Sequence, residues 1–378
     1  MKNAAPTSLP PAPVPPAPTP PDRGSVGQYR RLPSLHAEGM LDFLHGMEAY
    51  AASAHAAAAD ARADILLAGA GYAHNQTVET ADAVATLAHD PIVATRWTAF
   101  LLSQRLKMKV ASMAHEPYRA YYLARLDAAA RAGPGSLRLD PDFVVPDYAR
   151  HELHMQPGGY VGTELAGYVF RYGIVGSGPG HYSNEVHVAI AAVTPAPADG
   201  KVARILDLGC GIGQYARALK ARFPQAEVQG VDTSAPMLRY AHLLAVELGA
   251  DVAYSQQSAD ALDFPDDHFD IVVASGLFHE IAPEATRRII GETARVMRPG
   301  ATFYPLDLYT ATPPGTDAKS RFAGWISSRW YHEDWREGYM SVDFDEALTR
   351  AGLEAIPDGP ALRLGPHPAP NLMALKAS

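Results

Sequence analysis

From Leu35 to about Arg131, apolar residues recur at three- and four-residue spacings, as in Met40, Phe43, Leu44 and Met47, or Tyr118, Tyr121, Tyr122 and Leu126. That period predicts amphipathic helices. Gly133, Pro134 and Gly135 close the region, and Pro141, Pro146 and the Pro157, Gly158, Gly159 triplet punctuate the next stretch, so loops are expected to concentrate between about 132 and 200. The run Ala196, Pro197, Ala198, Asp199, Gly200 reads as a linker. Beyond it come short apolar runs, Val202 to Leu208, Glu227 to Val231, Asp251 to Tyr254, Phe269 to Ala274 and Ala301 to Leu306, each succeeded by a helical pattern or a loop. Buried strands alternating with helices predict a parallel sheet covered on both faces. The end differs: a helix around Asp343 to Ala351 precedes Leu353 to Ile356, a Gly- and Pro-rich turn, and Leu372 to Lys376. Two strands with no helix between them predict an antiparallel hairpin at the sheet edge.

Nine prolines crowd the stretch from Pro6 to Pro21, nearly free of charge, which favours extended chain with little to bury. Residues 1–27 are therefore expected to be a disordered tail, 28–198 a mainly helical cap and 199–378 a second, sheet-based domain. With 47% hydrophobic and 19% charged residues, the 378-residue chain can fill cores of that size. The formal charge of −9 and the lack of a basic stripe argue against nucleic acid as a partner. A single cysteine, Cys210, excludes an intramolecular disulfide and a multi-cysteine zinc site, and suggests the cytoplasm. No apolar run is long enough to span a bilayer, so no membrane association is expected.

The chemistry is concentrated after the first of those strands. Ile205, Leu206, Asp207, Leu208 break into Gly209, Cys210, Gly211, Ile212, Gly213 before a helix beginning near Tyr215. Such glycines let backbone approach a ligand lying across strand ends. The spacing is G-x-G-x-G with an acid ahead of it, which favours a ligand carrying a cation over a pyrophosphate. The second strand ends at Gly230, Val231, Asp232, where a carboxylate can accept from both hydroxyls of a ribose. These residues resemble the class I S-adenosylmethionine-dependent methyltransferase family from about Val202 to the C-terminus. The resemblance implies a Rossmann-like doubly wound fold with S-adenosylmethionine as cofactor. It places the methionine end on Asp207, Gly209, Cys210, Gly211 and Gly213, the ribose on Asp232, and the adenine beside Thr233 and Met237. Ser258, Ala259 and Asp260 precede the run Phe264 to Asp270, which looks like the family's signature between its third and fourth strands. An acid commonly binds the adenine amino group where Ser258 stands; here Asp260 is the candidate. Ser275 and His279 come next, on the fourth strand and its loop, and Arg295 to Gly300 resembles the turn before the fifth.

A sulfonium is already activated, so positioning is the main demand on the protein. Where a base is needed, His279 is the candidate, with a structural loop cap as its alternative. Glu280 is expected to be exposed or helix-orienting, and Cys210 a small buried residue. A polar aromatic segment, with Tyr148, His151, His154, Gln156, Tyr160, Tyr168, Tyr172, His181, Tyr182, Asn184, Glu185 and His187, is the candidate lid. Tyr160 is placed over the sulfonium, where a tyrosine face attracts a cation. No metal site is expected, since His151, Glu152 and His154 lack zinc-ligand spacing. Trp325, Trp330 and Trp335 are expected to be core for a helix over the sheet edge. The predicted function is methyl transfer to a small molecule, with secondary metabolism as its setting and a homodimer as a candidate assembly. Cyclisation of the cofactor with release of methylthioadenosine, as in azetidine-2-carboxylate synthases, and a non-catalytic binding module are the alternatives.

Overall fold

The structure, a computed structural model, describes residues 17–73, 76–176, 184–307, 317–360 and 371–377. The expectations placed on residues 1–16, His181, Tyr182, 308–316 and the turn at 361–370 lie outside the described residues.

A short ribbon, β1 (Ser25–Val26) and β2 (Tyr29–Arg30), leads into α1 (Leu35–Ala52), α2 (Ala54–Gly69), α3 (Thr80–Leu87), α4 (Pro91–His115) and α5 (Arg119–Ala129). The predicted helical periodicity is thus realised, with starts set by side chains. Ser34 accepts from the Ala37 amide at 3.2 Å to cap α1, and Asp90 accepts from Ile92 and Val93 at 3.0 and 3.3 Å ahead of the proline that opens α4.

Besides two short 3-10 turns, the described part of the stretch expected to be loops contains three regular elements. These are β3 (Ser136–Arg138), α6 (Ala166–Phe170), continued by one wider helical turn to Val175, and α7 (Glu185–Val193). The rest alternates: β4 (Arg204–Leu208), α8 (Gln214–Arg222), β5 (Glu227–Asp232), α9 (Ala235–Leu248), β6 (Ala253–Gln256), β7 (Phe269–Ser275), α10 (Pro283–Val296) and β8 (Met297–Leu306). Helices α11 (Ala318–Trp330), α12 (Arg336–Tyr339) and α13 (Phe344–Arg350) precede β9 (Leu353–Gly359) and β10 (Asn371–Lys376).

Among the described residues the sheet runs β3-β6-β5-β4-β7-β8-β10-β9, parallel from β3 to β8 and closed by the antiparallel β10 and β9. The fold is therefore a Rossmann-like doubly wound sheet with the predicted edge hairpin and a helical N-terminal region. Strand β8 starts earlier than its apolar run. Met297 pairs with Phe269 and Thr302 with Ile271, so Arg298 to Ala301 form an irregularity absorbed in the strand, with Gly300 at φ +77°.

One face of the sheet packs α10 and α13 through Leu206, Val272, Ile289, Phe303 and Leu348. The other packs α7, α8 and α9 through Ile190, Ile205, Leu219, Ala241 and Val273. The N-terminal helices join this body at a third cluster, where Tyr122, Leu126, Tyr168 and Leu165 meet Tyr240 and Leu244 of α9. Gly167 permits that approach, since a Cβ there would lie 2.3 Å from the Cβ of Tyr240. Tyr168 and Tyr172, expected in a lid, are instead held in this ring cluster with His115, and Tyr168 meets Tyr240 edge-on at 4.5 Å. The tryptophans also depart from expectation. Helix α11 lies on α2 and α3 rather than over the sheet edge, with Trp325 packed against Phe322 and Trp330 partly exposed.

Candidate functional site

Strand β4 lies between β5 and β7, and the connections after β4 and β7 leave on opposite faces, to α8 and α10, and open a crevice at their carboxyl ends. There the chain forms a cavity partly open to solvent. Of the residues singled out from the sequence, Asp207, Gly209, Cys210, Gly211, Asp232, Thr233, Met237, Ala259 and Ser275 line it, and so does Tyr160.

The turn after β4 is dictated by its glycines. Gly209, Gly211 and Gly213 have φ of +63°, +52° and +69°, a region that L-residues avoid. Gly213 does not line the cavity; it precedes α8 and accommodates Tyr254, whose Oη would lie 2.2 Å from an added Cβ. At the end of β5, Asp232 accepts the Gly211 amide at 2.9 Å and the Ser234 amide at 2.8 Å, fixing both loops around one carboxylate. Burial raises its pKa, while those amides and that of Thr233 pull it down. Asp207 is 1% exposed, and its Oδ2 has no hydrogen-bond partner among the described residues. Burial pushes its pKa up to about 8. The Cys210 thiol is likewise raised by burial, which suits a packed residue rather than a nucleophile.

The remaining candidates sit elsewhere. Asp260 is bound by Arg288 at 2.7 and 2.9 Å and accepts from Ser258, whose hydroxyl lies 3.3 Å from that of Tyr148. Neither Ser258 nor Asp260 lines the cavity; Gln257 and Ala259 do. His279 is buried behind the wall, with Nδ1 2.8 Å from Asp307. Burial opposes its charge, but the Asp307 carboxylate and then Glu280 and Glu333 outweigh that and carry its pKa to about 9. An imidazolium at neutral pH is a poor proton acceptor.

Glu280, expected to be exposed or helix-orienting, is in the cavity wall, with burial raising its pKa. The Tyr160 hydroxyl lies 3.3 Å from it and 2.7 Å from Nδ1 of His154. Nε2 of His154 is 3.3 Å from Glu333, which that contact and Arg336 hold down to about 2 against its burial. Sequence reasoning missed this cluster because its members lie far apart along the chain. Tyr148, Leu153 and Phe170 complete the wall from the N-terminal side, together with His187. Trp325, Trp330 and Trp335 are absent from it; Trp335 donates to the Tyr148 carbonyl at 3.2 Å.

Residues 205–300, which contain β4 to β7 and the turn into β8, match the family model described as a methyltransferase domain. A demethylmenaquinone methyltransferase of Thermus thermophilus is 40% identical over 104 residues, 28% of this chain and 46% of that protein. A probable tocopherol O-methyltransferase of Oryza sativa subsp. japonica is 38% identical over 121 residues, 31% of this chain and 32% of that one. The chain therefore spans less than half the length of these curated relatives. A solved structure of a Haemonchus contortus phosphoethanolamine N-methyltransferase with S-adenosyl-L-methionine matches at 22% identity and a TM-score of 0.38, covering 51% of this chain and 43% of that one. Residues 205–300 are thus similar to a methyltransferase domain, as the sequence resemblance implies.

The residues present fit S-adenosylmethionine, the cofactor that the resemblance of this domain implies. The unpartnered Oδ2 of Asp207 is an acceptor of the kind an ammonium would need. Asp232 keeps lone pairs on both oxygens after accepting its two amides. Gly211 presents backbone with no atom nearer than 3.8 Å to an added Cβ. Among the described residues no helix is long and apolar enough to cross a membrane.

Proposed function

We propose that the protein transfers a methyl group to a small-molecule acceptor enclosed between the cofactor loops and the segment from Tyr148 to Phe170. One observation carries this reading. A single cavity is lined both by the glycine turn with Asp207 and Asp232 and by Tyr148, Leu153, Tyr160 and Phe170 from the N-terminal region. The relatives' names, which carry demethylmenaquinone and tocopherol, support a small molecule, and secondary metabolism is the setting we propose for it.

When bound, S-adenosylmethionine supplies a methyl group already activated on a sulfonium. Asp207, Gly209, Cys210 and Gly211 would hold its methionine end, Asp232 its ribose, and Thr233, Met237 and Ala259 its adenine. Ser234 donates to the Tyr160 carbonyl at 2.5 Å and caps α9 by accepting from Met237, so the cofactor side of the cavity and its cover are tied at one residue. Tyr160 closes the cavity and presents its hydroxyl beside Glu280. Glu280 and Tyr160 orient the acceptor's polar group, and apolar Leu153 and Phe170 exclude water. His279 acts by holding its loop through Asp307, which also accepts the Phe278 amide at 2.7 Å.

Incubation with methyl-labelled cofactor and fractionated metabolite extracts is expected to give S-adenosylhomocysteine and a labelled low-molecular-weight product. Methylthioadenosine as the product, or unchanged cofactor despite tight binding, overturns the reading. Glu280→Gln is expected to lower the rate of labelling by about a hundredfold with cofactor affinity unchanged.

A further inference from the structure

The polar cluster behind Tyr160 has an organisation that acceptor binding does not require. Nδ1 of His154 lies 3.6 Å from Oε1 of Glu280, and Nε2 of His279 lies 3.9 Å from the same oxygen. One ligand atom from each of the three side chains falls within 4.8 Å of the others. Each imidazole is also fixed through its other nitrogen by a carboxylate: Glu333 at 3.3 Å from Nε2 of His154, and Asp307 at 2.8 Å from Nδ1 of His279. A ring nitrogen backed by a carboxylate, with the second nitrogen directed at a shared point, is the arrangement by which proteins orient histidine ligands to a metal. Glu333 is itself anchored by Arg336 at 3.0 Å.

The backbone is bent to make this arrangement. His154 and Met155 have φ of +53° and +59°, left-handed values at two consecutive non-glycine residues. Such conformations cost about 1 kcal/mol or more each and persist where the surrounding structure fixes them. Four-coordinate zinc with bonds of about 2.0–2.2 Å holds its ligand atoms roughly 3.4 Å apart, so the two shorter spacings need to contract only slightly.

We propose that His154, His279 and Glu280 bind one first-row divalent transition-metal ion, at a site opening on the cavity, with the proton on Nε2 of His279 released to solvent as the ion enters. Two imidazoles and one carboxylate are a ligand set for zinc or its first-row neighbours rather than for magnesium or calcium. Glu280 and Tyr160 both line the cavity, so the remaining coordination position faces it. The Tyr160 hydroxyl, between His154 and Glu280, gives up its hydrogen bonds to them when the ion enters. In the functional reading above, the ion would hold the acceptor's oxygen; binding of the ion does not depend on that reading.

The test uses the full chain, purified without a histidine tag, freed of metal with a chelator and titrated with Zn²⁺ or Co²⁺ alone. About one ion per chain is expected, with the visible absorption of four-coordinate Co²⁺. Glu280→Gln and His154→Asn should each abolish that absorption, and Glu333→Gln should weaken binding about 10- to 100-fold. Circular dichroism and thermal unfolding establish that each variant is folded. The proposal is overturned if the wild-type chain takes up less than about a tenth of an equivalent. It is equally overturned if a folded Glu280→Gln, His154→Asn double variant binds the ion as tightly as wild type. Metal uptake is read without cofactor or acceptor, so failure of this site and failure of methyl transfer are separate results.

Discussion

Asp207 is where single-residue chemistry has the clearest consequence. Burial holds its folded-state pKa at about 8 against an ordinary 3.8. Between those values the unfolded chain binds fewer protons than the folded one. This group's contribution to the stability of the cofactor-free protein is therefore complete below pH 4 and is lost as pH rises through 8. Holding an ammonium requires the carboxylate, so cofactor binding between pH 5 and 7, below the titration of an α-amine, should release close to one proton. Calorimetry in buffers of different ionisation enthalpy measures that number; a binding enthalpy independent of buffer contradicts the assignment. Asp207→Asn should remove the proton release and weaken binding by about 1.5–3 kcal/mol, roughly ten- to a hundredfold. Gly213 offers a second residue-scale prediction. Gly200 has the same φ of +69° with open space around it, whereas a Cβ at Gly213 meets the Tyr254 hydroxyl at 2.2 Å. Gly200→Ala should cost only the backbone term, about 1–2 kcal/mol, and Gly213→Ala distinctly more, as read by urea unfolding. Equal losses would mean that Tyr254 moves aside freely.

At the scale of elements, legibility tracked the strength of the local signal. The runs at 202–208 and 269–274 became β4 and β7 because they are largely apolar on both faces and are read as buried strands, and 227–231 became β5 with Val228, Gly230 and Val231 buried. Strand β3 left no such trace, having Leu137 as its one apolar residue. It is extended because it hydrogen-bonds to the edge of β6, which Gly135 permits; a Cβ there would lie 2.3 Å from the Val252 carbonyl oxygen. Helix α7 did carry a signal, since Val186, Ile190 and Val193 keep helical spacing, but the glycines and prolines around it obscured it. Ser234 links two elements, capping α9 and donating to the Tyr160 carbonyl. Ser234→Ala should cost about 1 kcal/mol for the cap and also loosen the cover. Faster proteolysis within residues 156–165 is the expected sign, and a stability loss with unchanged cleavage there would leave Ser234 as a cap only.

For the whole molecule, the sheet-based body does not begin at the linker where the sequence pattern changes. Ile190 and Ala191 of α7 share a core with Ile205, Tyr215 and Leu219, and β3 extends the sheet at its far edge. A fragment starting at residue 199 should therefore expose apolar surface, bind a hydrophobic dye and melt well below a fragment starting at residue 132. Equal melting temperatures would show that α7 and β3 are dispensable. The sequence by itself determined the alternating sheet, the edge hairpin, and the order Asp207, glycine turn, Asp232, because these rest on short-range constraints: period, glycine conformation and strand-end acids. The tertiary structure decided which residues close the cavity. It moved Tyr168 and Tyr172 into a packed cluster, put His279 behind Asp307, and brought Glu280 to the wall beside Tyr160. It also brought His154 and Glu333 together across 179 residues of chain. Contacts of that kind depend on how separate elements pack, and no local pattern of residues encodes them.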